Sequence, residues 1–533
     1  MFICTRCKNV EEIALAPVGT RKFYEPETCT EVCFSCLGLL QRFANEEFIK
    51  SLCELIKEQQ FEHKYIRTSL LLPSCLYLRQ HLYFQKTLDP KAVLGLDVSV
   101  CLSRRVSYIK NAWREICVPL IEKHLGITHI DGDGTSNTTP YFDVMLTFDY
   151  AYNDLECWPL REYFPKRLQH VKPLKRPIEE FDGSFTQAPN VKPSLFTLLA
   201  VNDAISSIPL DEFPKYFEKL EKEICGHPEP GLGLLTPPQF SSQHLYVYGR
   251  YQKFCRDLPQ STWTTDGGDD CDDDTVVQQG DGKIASSFSN SIEQVIGKPL
   301  MQCTKADSFR FSAAGREDVD VRMLGKGRTF CFEIINPRTP SCLSKITESE
   351  LNAETSKHHL SVFDLSETMS RYPLDMLKQG EGQKEKEYTA ICFVRHCNID
   401  LPNVQKICNA LNSTNFPLPI KQHTPIRVLH RRSPVVRTRH VLKLEASPFQ
   451  TKDNDDTRAF VIRLRTDAGT YIKEFVHGDL GRTVPNIGSL ILSAFTNTKT
   501  NTGEKDPNPS CECDIVTLDV TDISDYKTIV PQQ

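Results

Sequence analysis

Two pairs of cysteines near the start of the sequence constrain the fold most strongly. Cys4 and Cys7 form one CxxC pair, and Cys33 and Cys36 form a second pair further along the chain. Two residues between thiolates let one tight turn present both sulfurs to a tetrahedral ion, and two such turns complete a four-cysteine site. The pattern predicts one structural zinc ion held by all four cysteines. A redox-active CxxC and four free structural thiols are the alternatives.

Composition is that of an ordinary soluble protein, and it narrows the possible settings. Hydrophobic residues make up 40% and charged residues 25% of the 533 residues. No window approaches about 18 consecutive apolar residues, and the first residues lack a signal-peptide pattern. We therefore expect a protein of the nucleus or cytoplasm, without a membrane span, whose 21 cysteines serve as thiols and metal ligands. A net charge of −6 argues against a chain that is basic throughout, but it permits a local basic surface.

Hydrophobic patterns along the chain predict an α+β protein. Helical spacing dominates from about 46 to 122, and strand-like runs follow at 141–150 and 243–251. From about 284 onward, strands alternate with helices, which predicts a sheet-rich unit of catalytic size. Its strands are expected at 329–335, 388–394, 426–432, 441–447 and 459–466, and its helices at 291–303, 345–355 and 401–412.

An acidic segment separates the two parts of the chain. Residues 264–283 contain seven aspartates and four glycines, which is typical of a solvated linker, and they lack the ligand pattern of an EF-hand. The predicted domains are a four-cysteine zinc-binding segment at 1–45, an accessory domain at 46–263, an acidic linker or insertion at 264–283 and a catalytic domain at 284–533.

The octet GREDVDVR at 315–322 is the first candidate for chemistry. It places the carboxylates of Glu317, Asp318 and Asp320 between Arg316 and Arg322. Taken alone, the octet suits either a loop that presents one reactive acid or a charged turn before a strand.

A basic run at 424–440 is the second candidate. In a chain of net negative charge it concentrates positive charge without any carboxylate, and the planar guanidinium group suits bidentate phosphate contact. The run predicts contact with an RNA or DNA backbone, and a solvated charged surface is the alternative. Its arginines are Arg427, Arg431, Arg432, Arg437 and Arg439.

The segment GTYIKEF at 469–475 adds two further candidates. On an extended backbone, Tyr471 and Lys473 would share one face because they lie two residues apart. Lys473 could then lie beside a buried carboxylate, and Tyr471 could stack on a base. Taken singly, each residue also suits a structural role.

Taken together, these stretches resemble a known family. GREDVDVRMLGKGRTFCFEIINP and AGTYIKEFVHGDLGRTVPNIGSL closely resemble the catalytic domain of the archaeal and eukaryotic Pus10 family of tRNA pseudouridine synthases. KEKEYTAICFV, TPIRVLHRRSPVVRTRH, YGRYQKFCRDLPQSTW and CFSCLGLLQ fit the same family. The resemblance is strongest at 243–263, 308–338 and 384–490, and it is thinner between 46 and 240.

The resemblance implies a reaction and a set of site residues. The reaction is isomerisation of uridine to pseudouridine in the T-loop of tRNA, at position 54, 55 or both. Asp318 aligns with the catalytic aspartate, and Tyr388 aligns with the tyrosine that stacks on the flipped base. Tyr471 and Lys473 match the motif whose basic residue pairs with the aspartate, and Leu480 matches an apolar residue that packs in the pocket. Arg316 is expected to join the electrostatic and RNA-contacting set.

The implied architecture is a zinc-bearing, THUMP-like accessory domain followed by a mixed-sheet pseudouridine synthase domain. THUMP-like modules usually engage the acceptor end, so the expected partner is tRNA through both its T-loop and its acceptor region. Other structured RNA is a further expected partner, and the protein is expected to be a monomer.

The chemistry of the residues agrees with this resemblance. Breaking and rejoining the bond between ribose and uracil needs one carboxylate and no organic cofactor. The carboxylate acts as nucleophile or as base, and the sequence leaves both open. A non-catalytic RNA-binding factor in RNA processing, such as the maturation of microRNA precursors, is the alternative function.

Overall fold

A computed structural model describes most of the chain, and its residues fold into two units, Met1–Gln243 and His244–Gln533. No helix among the described residues is both long and apolar enough to cross a bilayer. The described residues are 2–8, 31–87, 106–130, 139–163, 196–206, 218, 231–261, 290–380, 385–397, 403–430, 432–449, 458–496 and 510–524.

The first unit combines helices with a five-stranded sheet in the order β2-β1-β3-β4, and β5 also pairs with β3. Its strands are β1 Tyr65–Leu71, β2 Thr128–His129, β3 Tyr141–Asp149, β4 Gly233–Leu234 and β5 Gln239–Ser242. Its helices are α1 Leu39–Arg42, α2 Glu46–Glu58, α3 Cys75–Thr87, α4 Val106–Leu125, α5 Asn153–Cys157 and α6 Leu198–Ser206, with a 3₁₀ turn at Trp158–Tyr163.

Local sequence explains the helical part of this unit. The side chain of Asn45 accepts a hydrogen bond from the Phe48 amide at the start of α2, so one end of the helix is capped. Ile49, Leu52 and Ile56 recur at helical spacing and are buried in the core. Strands β1 and β3 are parallel, and parallel strands need a long crossover, which α3 and α4 provide.

The second unit is built on a ten-stranded sheet. Its strands are β6 Leu245–Lys253, β7 Ser308–Ala313, β8 Arg322–Ile335, β9 Leu360–Thr368, β10 Lys386–Cys397, β11 Leu418–His423, β12 Val436–Pro448, β13 Ala459–Thr466, β14 Thr483–Val484 and β15 Cys511–Ile523. Its helices are α7 Ile292–Thr304, α8 Glu348–Thr355, α9 Tyr372–Gly380, α10 Val404–Asn412, α11 Ile472–His477 and α12 Ile487–Thr496.

Strand β15 joins the two halves of this sheet. The strand order is β14-β11-β12-β13-β10-β15-β8-β6-β9, and β7 also pairs with β8. β15 is antiparallel to β10 but parallel to β8, where Asp519 lies opposite Arg322. The Asp519 carboxylate accepts hydrogen bonds from Arg322 at 2.9 and 2.6 Å, which fixes the register of this short parallel contact.

The mixed α and β architecture predicted from the sequence is confirmed, although its boundaries differ. Strand β6 pairs with β8 and β9, so it belongs to the second unit rather than to the predicted accessory domain at 46–263. The boundary follows residue 243 because β6 needs these sheet partners. The predicted four-cysteine segment at 1–45 shares the first unit with the residues that follow it. The acidic segment at 264–283 lies outside the described residues.

One predicted strand is wrong. Residues 426–432 were expected to be extended, but Ile426–Val428 form a 3₁₀ turn and strand β12 begins only at Val436. Pro425 and Pro434 flank this segment and lack the N–H that a strand ladder requires, which favours a turn.

Candidate active site

A cavity of about 360 Å³ lies in the second unit beside the connection between β7 and β8. We call this connection, residues 314–321, the Asp318 loop. Asp318 lines the cavity together with Tyr388, Tyr471 and Lys473. The structure therefore brings together four residues that the sequence analysis had singled out from three separate segments.

Two cations hold the carboxylate of Asp318. Its Oδ2 lies 2.9 Å from Nζ of Lys473 and 3.4 Å from Nη1 of Arg427, and the side chain is 24% exposed. Burial alone would raise the pKa of Asp318, but Lys473, Arg427 and Arg316 outweigh it and hold the pKa below the ordinary aspartate value of 3.8. Asp318 is therefore an ionised carboxylate at neutral pH.

Lys473 also contacts a second carboxylate. Its Nζ lies 2.9 Å from Oδ1 and 3.0 Å from Oδ2 of Asp320, whose side chain is 62% exposed. Because water screens the exposed pair, Asp320 contributes less to the field in the cavity than Asp318 does. Burial lowers the pKa of Lys473, but the charges and hydrogen bonds of Asp318 and Asp320 raise it overall, so the ammonium stays charged.

Arg427 lies inside the site. Its Nε donates to Oε1 of the buried Glu474 at 2.8 Å, while its Nη1 faces Asp318. This arginine was predicted to contact RNA, and the structure pairs it with the carboxylates of Glu474 and Asp318. One ion-pair chain therefore runs from Glu474 through Arg427, Asp318 and Lys473.

Tyr471 itself is extended, but the backbone turns helical directly after it, so the two residues reach the same cavity without the continuous extended backbone considered for this segment. Tyr471 immediately precedes helix α11, and Lys473 lies in the first turn of the helix. Gln422 holds Tyr471 in place, because its amide accepts from the Tyr471 N–H at 3.0 Å and donates to the Tyr471 carbonyl at 2.8 Å. The Tyr471 hydroxyl accepts a hydrogen bond from Nη1 of Arg432 at 3.2 Å.

Tyr388 supplies a neutral aromatic ring to the cavity. It lies in β10, opposite Leu464 of β13 and Val520 of β15, and it is only 8% exposed. Burial raises the pKa of Tyr388 to about 12, so its hydroxyl stays protonated at neutral pH. Pairing with a strand on each side fixes the backbone that carries the ring.

Leu480 does not line the cavity, contrary to the prediction. Its side chain is 91% exposed. The reason lies in the backbone, because Gly478, Asp479, Leu480 and Gly481 all have positive φ angles, of 79°, 46°, 54° and 86°. This left-handed turn directs the side chain of Leu480 to solvent.

Other residues provide the apolar wall of the cavity. Ile472 from helix α11 lines it together with Leu518 and Val520 from β15. The two β15 residues were not predicted from the sequence. Their spacing of two is a weak strand signal, but only the pairing of β15 with β10 and β8 shows that they reach this cavity.

The predicted RNA-binding arginines are partly gathered around the opening. Arg316, Arg432 and Arg437 line the cavity, and Lys386, which the sequence analysis missed, joins them. Arg437 and Arg439 lie opposite Gln422 and Ile420 of β11, so alternation along β12 puts both on one face of the sheet. Arg431 lies outside the described residues.

Glu317 has a structural partner and does not compete with Asp318. Its Oε2 accepts from Nε of Arg328 at 2.6 Å, and both side chains are only 1% exposed. The hydroxyl of Tyr251 donates to Oε1 of Glu317 at 2.7 Å. The octet thus separates into one buried acid paired with Arg328, one partly exposed acid held by Lys473 and Arg427, and one exposed acid, Asp320.

The four cysteines of the two CxxC pairs meet in the first unit. Cys4, Cys7, Cys33 and Cys36 are buried, and their sulfur atoms all lie within 4.8 Å of one another. A tetrahedral ion with Zn–S bonds of about 2.3 Å requires sulfurs roughly 3.8 Å apart. The 4.0 Å between the sulfurs of Cys4 and Cys36 suits such an ion. The amide of Cys4 also donates to Sγ of Cys33 at 3.3 Å, as expected for a thiolate ligand.

Family models match both units. The model described as "Pus10, C-terminal" matches residues 246–524, which is more than half of the chain, and "Eukaryotic Pus10, N-terminal" matches residues 33–222.

The chain belongs to the Pus10 family. Its Homo sapiens relative, named tRNA pseudouridine synthase Pus10, is 33% identical over 465 residues, which cover 86% of this chain and 75% of the relative. A relative of the same name from Thermofilum pendens is 36% identical over 250 residues, covering 46% of this chain and 49% of the relative. A solved H/ACA ribonucleoprotein bound to substrate RNA shows 14% identity and a TM-score of 0.19 over 41% of this chain and 40% of that chain, too low to support an inference.

Membership of the Pus10 family identifies the chain as an isomerase of the pseudouridine synthase type. The Pus10 C-terminal match begins within β6 and runs past β15, so it contains every part of the cavity described above. It also begins close to the boundary between the two units.

Replacing Lys473 by methionine is expected to make activity sensitive to mild acid. This substitution removes the strongest of the charges that lower the pKa of Asp318 against burial, so that pKa rises. A reaction that needs an ionised carboxylate slows as pH falls through the pKa of that carboxylate in the folded protein. This fall in rate, the acid limb of the pH profile, should lie below about pH 3.8 in the wild type and at a higher pH in Lys473→Met. Loss of the fixed carboxylate geometry should also slow the reaction about 10²-fold at neutral pH.

Single-turnover rates across pH would check this prediction. Lys421→Met is the matched control, because Lys421 is exposed on β11 and does not line the cavity. An unchanged acid limb in Lys473→Met would contradict the assignment of Lys473 as the counter-ion of Asp318.

Proposed function

We propose that this Pus10 protein isomerises uridine to pseudouridine in the T-loop of tRNA, at position 54, 55 or both. The observation that carries the proposal is an ionised Asp318 in a cavity lined by cations, with its carboxylate held by Lys473 and Arg427. Relatives that are 33% and 32% identical to this chain over 465 and 467 aligned residues are named tRNA pseudouridine synthases.

Asp318 is proposed as the reacting group. It attacks the ribose as a nucleophile or removes a proton from it as a base, and either role requires the ionised form. Lys473 and Arg427 maintain that form in a site partly shielded from water. The uracil is detached, turns over within the cavity and is rejoined through carbon, which needs space but no redox change.

The target uridine must leave the folded RNA to reach Asp318. Extrusion breaks stacking and costs a few kcal/mol, which an aromatic partner in the pocket offsets. The neutral ring of Tyr388 is proposed to stack on the extruded base. Leu518 and Val520 provide apolar surface on which the uracil can turn without fixed hydrogen bonds. Tyr471 and Arg432, which are hydrogen-bonded to each other, stand at the rim.

The surrounding arginines are proposed to hold RNA phosphates. Arg316, Arg432 and Arg437 line the cavity, and Arg439 lies on the same sheet face as Arg437. Arginine donates in a planar fork that matches phosphate oxygens. Arg431, in the same run of sequence, is proposed for the same role. Binding should therefore weaken steeply as salt concentration rises.

The first unit is proposed to be a THUMP-like module that positions the acceptor region of tRNA. Its five-stranded sheet carries helices and matches the eukaryotic Pus10 N-terminal model. One structural zinc ion is proposed at Cys4, Cys7, Cys33 and Cys36, because their spacing suits tetrahedral thiolate coordination. The protein is proposed to act as a monomer in the nucleus, the cytoplasm or both.

Asp318→Asn is expected to abolish pseudouridine formation on an unmodified tRNA transcript, by more than about 10³-fold, because the amide cannot act as nucleophile or base. RNA affinity should change by less than a few-fold. Asp320→Asn is the matched control, since Asp320 shares the Lys473 contact but is largely exposed, and it should retain most activity.

Mapping pseudouridine by position would also show whether uridine 54, 55 or both are modified. Full activity of Asp318→Asn would remove this residue from the reaction. An RNA-processing effect that persists in Asp318→Asn but disappears with Arg432→Gln would instead support a non-catalytic RNA-binding role.

Arg432→Gln combined with Arg437→Gln is expected to weaken tRNA binding and to lower its salt dependence. Each lost phosphate contact should reduce the slope of log affinity against log salt by roughly 0.7 to 0.9. Binding isotherms at several salt concentrations would measure this slope. Arg463→Gln, on an exposed position of β13 outside the cavity lining, serves as the control. An unchanged slope in the double variant would contradict phosphate contact.

Metal analysis of the purified protein is expected to give about one zinc ion per chain. Cys33→Ser with Cys36→Ser should remove it and destabilise the first unit, because structural zinc sites contribute directly to folding. Cys53→Ser with Cys75→Ser replaces two buried cysteines outside the cluster and should leave the metal content unchanged. A folded wild-type protein without metal would refute the zinc proposal.

A further inference from the structure

The Asp318 loop is held mainly by side chains from elsewhere in the second unit. It connects β7 to β8, and the loop carbonyls of residues 314, 315, 318, 319 and 320 each accept a hydrogen bond from a distant side chain. The donors are Arg328, Gln260, Lys253 and Arg256. Loops are the most mobile parts of most folds, so this arrangement fixes a segment that would otherwise fluctuate.

Three of these four donors come from one short stretch, residues 253–260, which begins at the last residue of strand β6. Gln260 donates to the carbonyl of Gly315 at 3.1 Å and to the Tyr251 hydroxyl at 2.9 Å. Arg256 donates to the carbonyl of Asp320 at 2.9 Å and to that of Leu518 at 2.8 Å. This stretch therefore ties the Asp318 loop to β15, the strand that supplies part of the apolar wall.

Lys253 makes the most direct contact with the reactive position. Its ammonium donates to the carbonyls of Leu258 at 3.1 Å, Asp318 at 3.2 Å and Val319 at 3.0 Å. These three bonds use all three N–H donors of a lysine. The Asp318 carbonyl also accepts from the Val321 amide at 3.0 Å, so this peptide group is held from two directions.

Burying the ammonium of Lys253 is energetically less favourable than burying an apolar side chain of similar size. The residue is 1% exposed, and its three acceptors are neutral carbonyls. Burying a cation costs several kcal/mol, and an apolar side chain of similar volume is often neutral or stabilising at such a position. An apolar residue, however, could not hold two successive loop carbonyls at a fixed distance.

We propose that Lys253 is a positioning residue for the reaction: its buried ammonium fixes the main chain at Asp318 and Val319 and thereby places the Asp318 carboxylate against the ribose. Lys473 and Arg427 hold the carboxylate from the cavity side, whereas Lys253 holds the backbone of the same residue from the core side. The inference rests on the proposed function in that Asp318 must be the reacting group. Displacement of a reacting group by about 1 Å can slow a reaction 10²-fold.

The test compares full-length Lys253→Met with Val247→Ala. Val247 lies in the same strand and is fully buried, but it packs in the apolar core. For each protein the free energy of unfolding, the affinity for a tRNA transcript and the single-turnover rate of pseudouridine formation are measured. Lys253→Met is expected to slow the single-turnover rate about 10²-fold while affinity stays within about two-fold. Val247→Ala should keep its rate despite a loss of stability.

The pH profile separates positioning from a charge effect. The cations that set the ionisation of Asp318 remain in Lys253→Met, so its acid limb should coincide with that of the wild type. Gln260→Met is a second variant, which leaves no buried charge unpaired and serves as the test if Lys253→Met does not fold. It removes the side-chain hydrogen bond to the Gly315 carbonyl and should slow the reaction about ten-fold.

Three outcomes would overturn the inference. The first is a Lys253→Met rate within about three-fold of the wild-type rate, and the second is an equal loss of rate in a Val247→Ala protein of the same stability. The third, which applies if Lys253→Met does not fold, is a wild-type rate in Gln260→Met. An inactive wild-type protein would instead overturn the proposed function, and the inference with it.

Discussion

The ion pair between Asp318 and Lys473 is the interaction around which the second unit is arranged. It joins the Asp318 loop to helix α11, two segments that are distant in sequence, at an Nζ to Oδ2 distance of 2.9 Å. Three neighbouring features support this arrangement. Gln422 holds the residue that precedes α11, Glu474 orients Arg427, and β15 closes the apolar wall beside them. An ionised acid is thereby retained beside a cavity of about 360 Å³.

Charge in this site is organised by depth. The deepest acid, Glu317, is neutralised by Arg328 and contributes to architecture. The intermediate acid, Asp318, is paired but partly accessible, and the outer acid, Asp320, is exposed. Because effective dielectric rises toward solvent, acids of one type acquire different properties within a few residues of sequence. A single short segment can therefore supply structure and reactivity together.

The sequence allowed part of this site to be predicted, and the reasons are local. Asp318, Tyr388, Tyr471 and Lys473 stand in motifs that resemble a known family, and the structure places all four in the cavity lining. Lys253 and Leu518 could not be recognised, since their importance depends on pairing between distant strands. Leu480 was misplaced because four successive positive φ angles in its turn follow from the folded surroundings rather than from a hydrophobic pattern. The pairing of Arg427 with the buried Glu474 was likewise hidden in a run that suggested only surface charge.

The position of β15 has a consequence for how the protein is made. This strand is the last in sequence among the described residues, yet it lies in the interior of the sheet between β10 and β8. A ribosome releases the chain from its N-terminus, so the strands on either side must wait for residues 511–523 before they can be joined. The first unit precedes β15 in the chain and can fold early, whereas the cavity lacks Leu518 and Val520 until this last strand has been made. A transcript cut short before β15 would yield a protein with every predicted catalytic side chain and no assembled site.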